Sequence, residues 1–203
     1  MVPKPLRIII LKKSLREKIL EYFASLPENE VNDEQREVLR YLDNNPVKIF
    51  PYPFHDNYSP EKIEVMFDPQ TGMRYVLQEG KRLYFKKRWG EKRIKRAYSD
   101  LLREQDINSP HKYLTESFTI GNDDVIADIG AAEGNFSLSV IEKIRKVYLF
   151  EYDNEWIEAL KATFAPWAEK VEIINKYVSD SDDGSHIRFD TFYKNKKDIT
   201  FLK

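Results

Sequence analysis

The apolar run Val125-Ile126-Ala127 leads directly into Asp128-Ile129-Gly130-Ala131-Ala132-Glu133-Gly134, which sets two of the chain's seven glycines four residues apart. Glycine reaches backbone angles closed to other residues, and without a Cβ it lets a ligand approach the main chain. A helix starting after such a loop offers unpaired N–H groups and a positive dipole end to a polar or anionic group. Together these features suit a nucleotide cradle. The spacing is D-x-G-x-x-x-G, with Ala132 standing where a dinucleotide fingerprint requires a second glycine. Glu151 ends the next apolar run, KVYLFE, 21 residues beyond Gly130. A carboxylate there can accept hydrogen bonds from both hydroxyls of a ribose. A ribose with no pyrophosphate to cradle points to S-adenosylmethionine rather than NAD.

The elements that must hold these residues can be read from periodicity. Leu11, Leu15, Ile19 and Tyr22-Phe23 recur at helical spacing until Pro27, and a second helix is predicted from Asp33 to about Asn44, barred by Pro46. The proline- and aromatic-rich VKIFPYPFHDNYSP is an irregular connection. From Lys62 to Trp89, β-branched and aromatic residues around the turns DPQTG and QEGK predict three short strands. Helical spacing returns from Glu91 to about Gln105. Strands and helices then alternate: strand Val125–Ile129, helix Asn135–Ile144, strand Lys146–Phe150, helix Asn154–Phe164, strand Val171–Ile174. Such alternation builds right-handed βαβ units on a parallel sheet. The expected fold class is therefore α/β, a Rossmann-like parallel sheet over residues 121–203, preceded by a smaller helical and β-strand lobe over residues 1–120.

VIADIGAAEGNFSL followed by VYLFEYDNEWIEAL resembles the first two motifs of class I S-adenosylmethionine-dependent methyltransferases of the FkbM type, and VEIINKYVSDSDDG resembles their third-strand region. The resemblance covers about Asp124 to Lys203. It implies that Asp128, Gly130, Ala131 and Gly134 line the methionine side of the cofactor. It further implies that Glu151 takes the ribose with Tyr152 beside it, and that Ser179 or Asp180 approaches the adenine. The fourth strand of that family would begin in KKDITFLK, and the 81 residues from Asp123 to Lys203 are too few for its seven-stranded sheet. A truncated class I core is the expectation.

The family chemistry implies O-methylation, with a small-molecule or glycan hydroxyl as the expected acceptor and RNA or protein methylation as the alternative. His111, in NSPHKY, is the one candidate general base, although a surface or capping role suits it better. Lys81 to Tyr98 holds nine basic residues and one acid, interleaved with Tyr84, Phe85 and Trp89. A solvated face explains that stretch. As a docking surface it would meet an anionic glycan, a nucleotide-linked sugar or RNA, through Lys86, Lys87 and Arg88. Glu133 could line the pocket or merely favour the helix dipole. Trp156 and Trp167 read as packing residues, and Asp180, Asp182 and Asp183 as a solvated turn. A non-catalytic cofactor-binding module is the remaining alternative.

Bulk composition adds exclusions. The 33 basic and 34 acidic residues nearly cancel, so net charge indicates no polyanionic partner. With no cysteine there is no disulfide, thiolate metal site or cysteine nucleophile, and the three histidines lack ligand spacing. No metal is expected. The four-residue apolar run at Ile8–Leu11 is too short for a signal segment, and no membrane span is present, so a cytoplasmic location is expected.

Overall fold

The computed structural model describes residues 4–116, 118–196 and 198–203. Helix α1 spans Lys4–Ala24 and α2 spans Asp33–Asn44. Asn32 and Gln35 begin α2 with a reciprocal capping box, each side chain accepting from the other's backbone N–H at 2.8 and 2.9 Å. The three expected short strands, β1 (Met66–Asp68), β2 (Met73–Gln78) and β3 (Lys81–Tyr84), form an antiparallel meander, with Val76 opposite Leu83. Helix α3 follows at Glu91–Glu104.

The parallel sheet contains β4 (Val125–Ile129), β5 (Lys146–Phe150), β6 (Val171–Ile174) and β9 (Phe201–Leu202), in the order β6-β5-β4-β9. Helices α4 (Asn135–Val140) and α5 (Asn154–Thr163) make the first two crossovers. The return from β6 to β9 passes through β7 (Tyr177–Ser179), β8 (His186–Arg188) and α6 (Phe189–Asn195). These three elements are absent from the sequence-based expectation, and α4 stops four residues short of Ile144. Within the sheet, the order is that of one half of a Rossmann-type fold plus the first strand beyond its switch point. Side chains of Thr200 and Asp124 fasten the β9 end: Thr200 Oγ donates to Asp124 at 2.7 Å and accepts from Val125 N–H at 3.0 Å.

Strands buried on both faces read as continuous apolar runs, which is why VIADI and KVYLF announce themselves. One face of the sheet sends Ile126, Val147 and Leu149 against Leu138 and Leu160 of the crossover helices. The same cluster takes in Val76, Leu83, Phe85 and Ile94, so the meander and α3 share a core with the sheet. Leu83, Phe85 and Ile94 are fully buried, each stabilising by about 1.5–3 kcal/mol. Polar ties cross the same boundary: Thr163 Oγ accepts from Tyr84 N–H at 3.0 Å, and the Gln78 amide donates to Asn135 C=O at 2.7 Å. The opposite face of the sheet packs Ala127, Tyr148 and Phe150 against Phe189, Phe192 and Ile199.

Candidate functional site

The strand order reverses direction between β4 and β9, and ligands of open α/β sheets bind beyond the carboxyl ends of strands at such a point. Four of the sequence-selected residues meet there. Gly130 and Ala131 turn the chain off β4, both N–H groups donating to Phe150 C=O at 3.0 Å. Gly130 has φ +72°, and a Cβ added to it would meet nothing within 4 Å, so its missing side chain opens onto free space. Glu151, at the tip of β5, turns its carboxylate toward this loop. One oxygen accepts from Ala132 N–H at 2.9 Å; the other accepts from Tyr152 and Asp153 N–H, each at 2.8 Å. A carboxylate has about four acceptor positions, and three are occupied by backbone. One remains for a hydroxyl, held rigidly at the rim of the space above Gly130.

Asp128 is fully buried at the end of β4. One oxygen accepts from Ser137 Oγ at 2.6 Å, and the Lys203 ammonium stands 3.0 Å from the other. Lys203 also lies over the Tyr113 ring, 5.1 Å from its centre. Burial works against the lysine's charge, but Asp128 more than offsets it and the ammonium's pKa rises above its ordinary value. Asp128 thus organises the sheet edge through a buried ion pair. Sequence reasoning missed Lys203, Ser137 and Tyr113; only Ser137, nine residues after Asp128 on the helix that follows the loop, was within local reach. Glu133 is half-buried, and burial pushes its carboxyl up to about 7, against a backbone hydrogen bond and Lys203 acting in the opposite sense.

Other expectations are redistributed. Gly134 does not face the space above Gly130: a Cβ there would stand 2.8 Å from both Leu160 and Phe164 side-chain carbons, so its absence lets α4 start against α5. Tyr152, next to Glu151, stacks on Tyr177 with ring centres 4.1 Å apart. Ser179 Oγ accepts from Ser181 N–H at 3.1 Å, and Asp180 is exposed. His111 is set apart from the sheet edge, edge-on to Phe50 at 5.1 Å, lining a separate cavity of about 610 Å³ with Lys48, Arg103 and Glu104. The basic stretch divides sharply. Lys86 is buried, paired with Asp153 and lying over the Trp156 ring, and Arg88 pairs with Glu155 at 2.7 Å. Lys87, Lys92 and Arg96 are exposed. Among the described residues no helix is long and apolar enough to cross a membrane, and no cluster of three acidic or histidine residues could hold a metal.

A Rossmann-type α/β sheet with a small-residue loop and a carboxylate at its switch point is the class of protein these features define. No protein-family model matches the chain. Over 83 residues it is 31% identical to the ribosomal RNA small subunit methyltransferase A of Staphylococcus haemolyticus, a match covering 41% of this chain and 27% of that protein. The chain therefore spans about a quarter of the length of the curated relative it matches. Among solved structures, a tRNA m1G37 methyltransferase of M. jannaschii is similar at 17% identity and TM-score 0.35, covering 63% of this chain and 38% of that one. A dimethyladenosine transferase of Plasmodium falciparum is similar at 15% identity and TM-score 0.29, over 41% and 34% of the two chains. The expected acceptor order, small molecule or glycan ahead of nucleic acid, is corrected by the curated relative, whose name specifies ribosomal RNA.

Proposed function

We propose that the chain is an S-adenosylmethionine-dependent methyltransferase whose acceptor is RNA. The observation that carries this reading is the Glu151 carboxylate, turned onto the Gly130–Ala132 loop and left with one acceptor position beside open space. The residues fit the cofactor on their own chemistry. Main chain at Gly130 and Ala131 would border its methionine side, and Glu151 would accept from a ribose hydroxyl. Tyr152 would flank the adenine with the Tyr177–Asp180 segment. Bound there, S-adenosylmethionine supplies a sulfonium methyl, and in-line transfer asks the protein chiefly for alignment. The buried Asp128–Lys203 pair holds the edge of β4 and β9 in register for that task. Within the class, the FkbM-type refinement has the quoted motifs behind it, whereas the RNA reading has a curated relative in addition, and it is the one adopted.

Calorimetric titration with S-adenosylhomocysteine, S-adenosylmethionine and NAD tests the cofactor. Saturable binding of the first two, weakened at least tenfold by Glu151→Ala, is expected; tighter binding of NAD would overturn the reading. Filter binding of a ribosomal RNA fragment, compared with a neutral oligosaccharide, tests the acceptor class.

A further inference from the structure

Against α4, touching Asn135, Phe136 and Ser139, lies a further cavity of about 420 Å³. Volumes of about 300–1,000 Å³ are typical of small-ligand sites. Its apolar lining comes from Tyr58, Leu101, Leu102, Leu114 and Phe136, while Glu79 and Lys112 bring one charge of each sign to it. The Phe136 ring packs edge-on against Tyr113, 5.2 Å away, and Tyr113 in turn lies beneath the Lys203 ammonium. Three polar groups among its lining residues are unspent. Gln105 Nε2 is buried with no hydrogen-bond partner, although the same amide's oxygen accepts from Tyr113 N–H at 3.4 Å. Gln78 donates to Asn135 C=O through its nitrogen, leaving its amide oxygen with no partner among the described residues. Tyr98 is buried, and burial pushes its hydroxyl up to about 12, keeping it a donor at neutral pH.

A buried amide donor left unpaired is costly, by about 1–3 kcal/mol, and in native structures it usually signals a missing partner. Here one unpaired donor and one unpaired acceptor belong to residues lining a single cavity, together with a tyrosine hydroxyl. Alternating donors and acceptors on one edge, with apolar faces above and below, is how proteins hold an unstacked base. We propose that this cavity is a nucleobase pocket, distinct from the space above Gly130, in which the Gln105 and Gln78 amides read the base edge while Tyr58 and Phe136 cover its faces. The Lys112 side chain lies at the cavity and can meet a phosphate of the same nucleotide. The base could belong to RNA or to a free nucleoside. Only the choice of RNA rests on the methyltransferase reading; the pocket does not.

The test uses the full chain with leucine methyl groups labelled for NMR, in the presence of S-adenosylhomocysteine, titrated with adenosine, guanosine, cytidine, uridine and a single-stranded oligoribonucleotide. Expected are saturable shifts at Leu101, Leu102 and Leu114, with affinity reduced at least tenfold in Gln105→Leu and abolished in the cavity-filling Leu102→Trp. Gln105→Leu removes the unpaired donor and keeps the volume, losing besides only the long 3.4 Å contact from Tyr113 N–H, so it folds even where Leu102→Trp does not. Shifts with the oligonucleotide alone assign the base to RNA; shifts of equal affinity with one nucleoside assign it to a free nucleoside. Absence of shifts at these leucines with every probe, or shifts unchanged in Gln105→Leu, overturns the inference. Loss of S-adenosylhomocysteine binding with the leucine shifts intact would instead overturn the cofactor reading alone.

Discussion

Gly130→Ala and Gly134→Ala are the same chemical change in the same loop, and the structure assigns them different consequences. Both positions have left-handed backbone, φ +72° and +77°, which costs an L-residue about 1–2 kcal/mol. At Gly130 that is the whole stability effect, because the added methyl meets nothing within 4 Å. At Gly134 the methyl would stand 2.8 Å from side-chain carbons of Leu160 and Phe164. These neighbours are 0% and 2% exposed, in an interior packed too densely to yield freely. Overpacking of that kind adds about 1–3 kcal/mol, for a total of roughly 2–5 kcal/mol. For a chain of this size each kcal/mol lowers Tm by about 2–4 °C. The expected losses are thus about 4 °C for Gly130→Ala and about 10 °C for Gly134→Ala. Urea unfolding followed by circular dichroism reads the stability difference, and calorimetry with S-adenosylhomocysteine reads the other half. Affinity should drop in Gly130→Ala, whose methyl enters the open space, and hold in folded Gly134→Ala. Equal destabilisation of the two variants, or an affinity loss confined to Gly134→Ala, would refute the assignment.

Three further perturbations follow from named contacts. Asp153 caps α5 by accepting from Glu155 N–H at 2.9 Å and also neutralises buried Lys86, so Asp153→Ala should cost about 3 kcal/mol or more. Adding Lys86→Met should recover part of that loss, as a double-mutant cycle in urea would show. Glu133 holds its proton more tightly when folded than its ordinary value of 4.5 allows, up to about 7. Its contribution is therefore full below pH 4.5 and is lost as pH rises through 7, by about 3 kcal/mol at most. Glu133→Gln should flatten the fall in stability between pH 5 and 8, and an unchanged slope would contradict the burial. For RNA, Lys87→Ala/Lys92→Ala/Arg96→Ala should lower the slope of log K against log salt by about 2 on single strands, while Arg88→Ala, which removes a cation already paired with Glu155, should leave it nearly unchanged.

The βαβ alternation, the three short strands before α3, and the bounds of α2, α3 and α5 were legible because they depend on patterns spanning a few residues. A strand buried on both faces must be apolar throughout, and a helix with one buried side repeats at 3.6. The D-x-G-x-x-x-G loop and Glu151 were legible for the same reason, being tied to strand ends that could be counted. The β7–β8–α6 return was not, since its strands are three residues long and half-exposed and leave almost no periodicity to read. Nor could sequence distinguish Gly130 from Gly134: the two share a loop and a backbone conformation and differ only in what stands opposite them. Lys86 and Lys87 are adjacent, yet one is buried against Asp153 and the other is exposed. Lys203 reaches Asp128 only because β9 lies beside β4. Local composition determines which elements form, because hydrogen bonding and periodicity act between near neighbours. Which charge is spent, which glycine faces open space and which amide lacks a partner are decided by groups far apart in the chain, and those meet only once the core has packed.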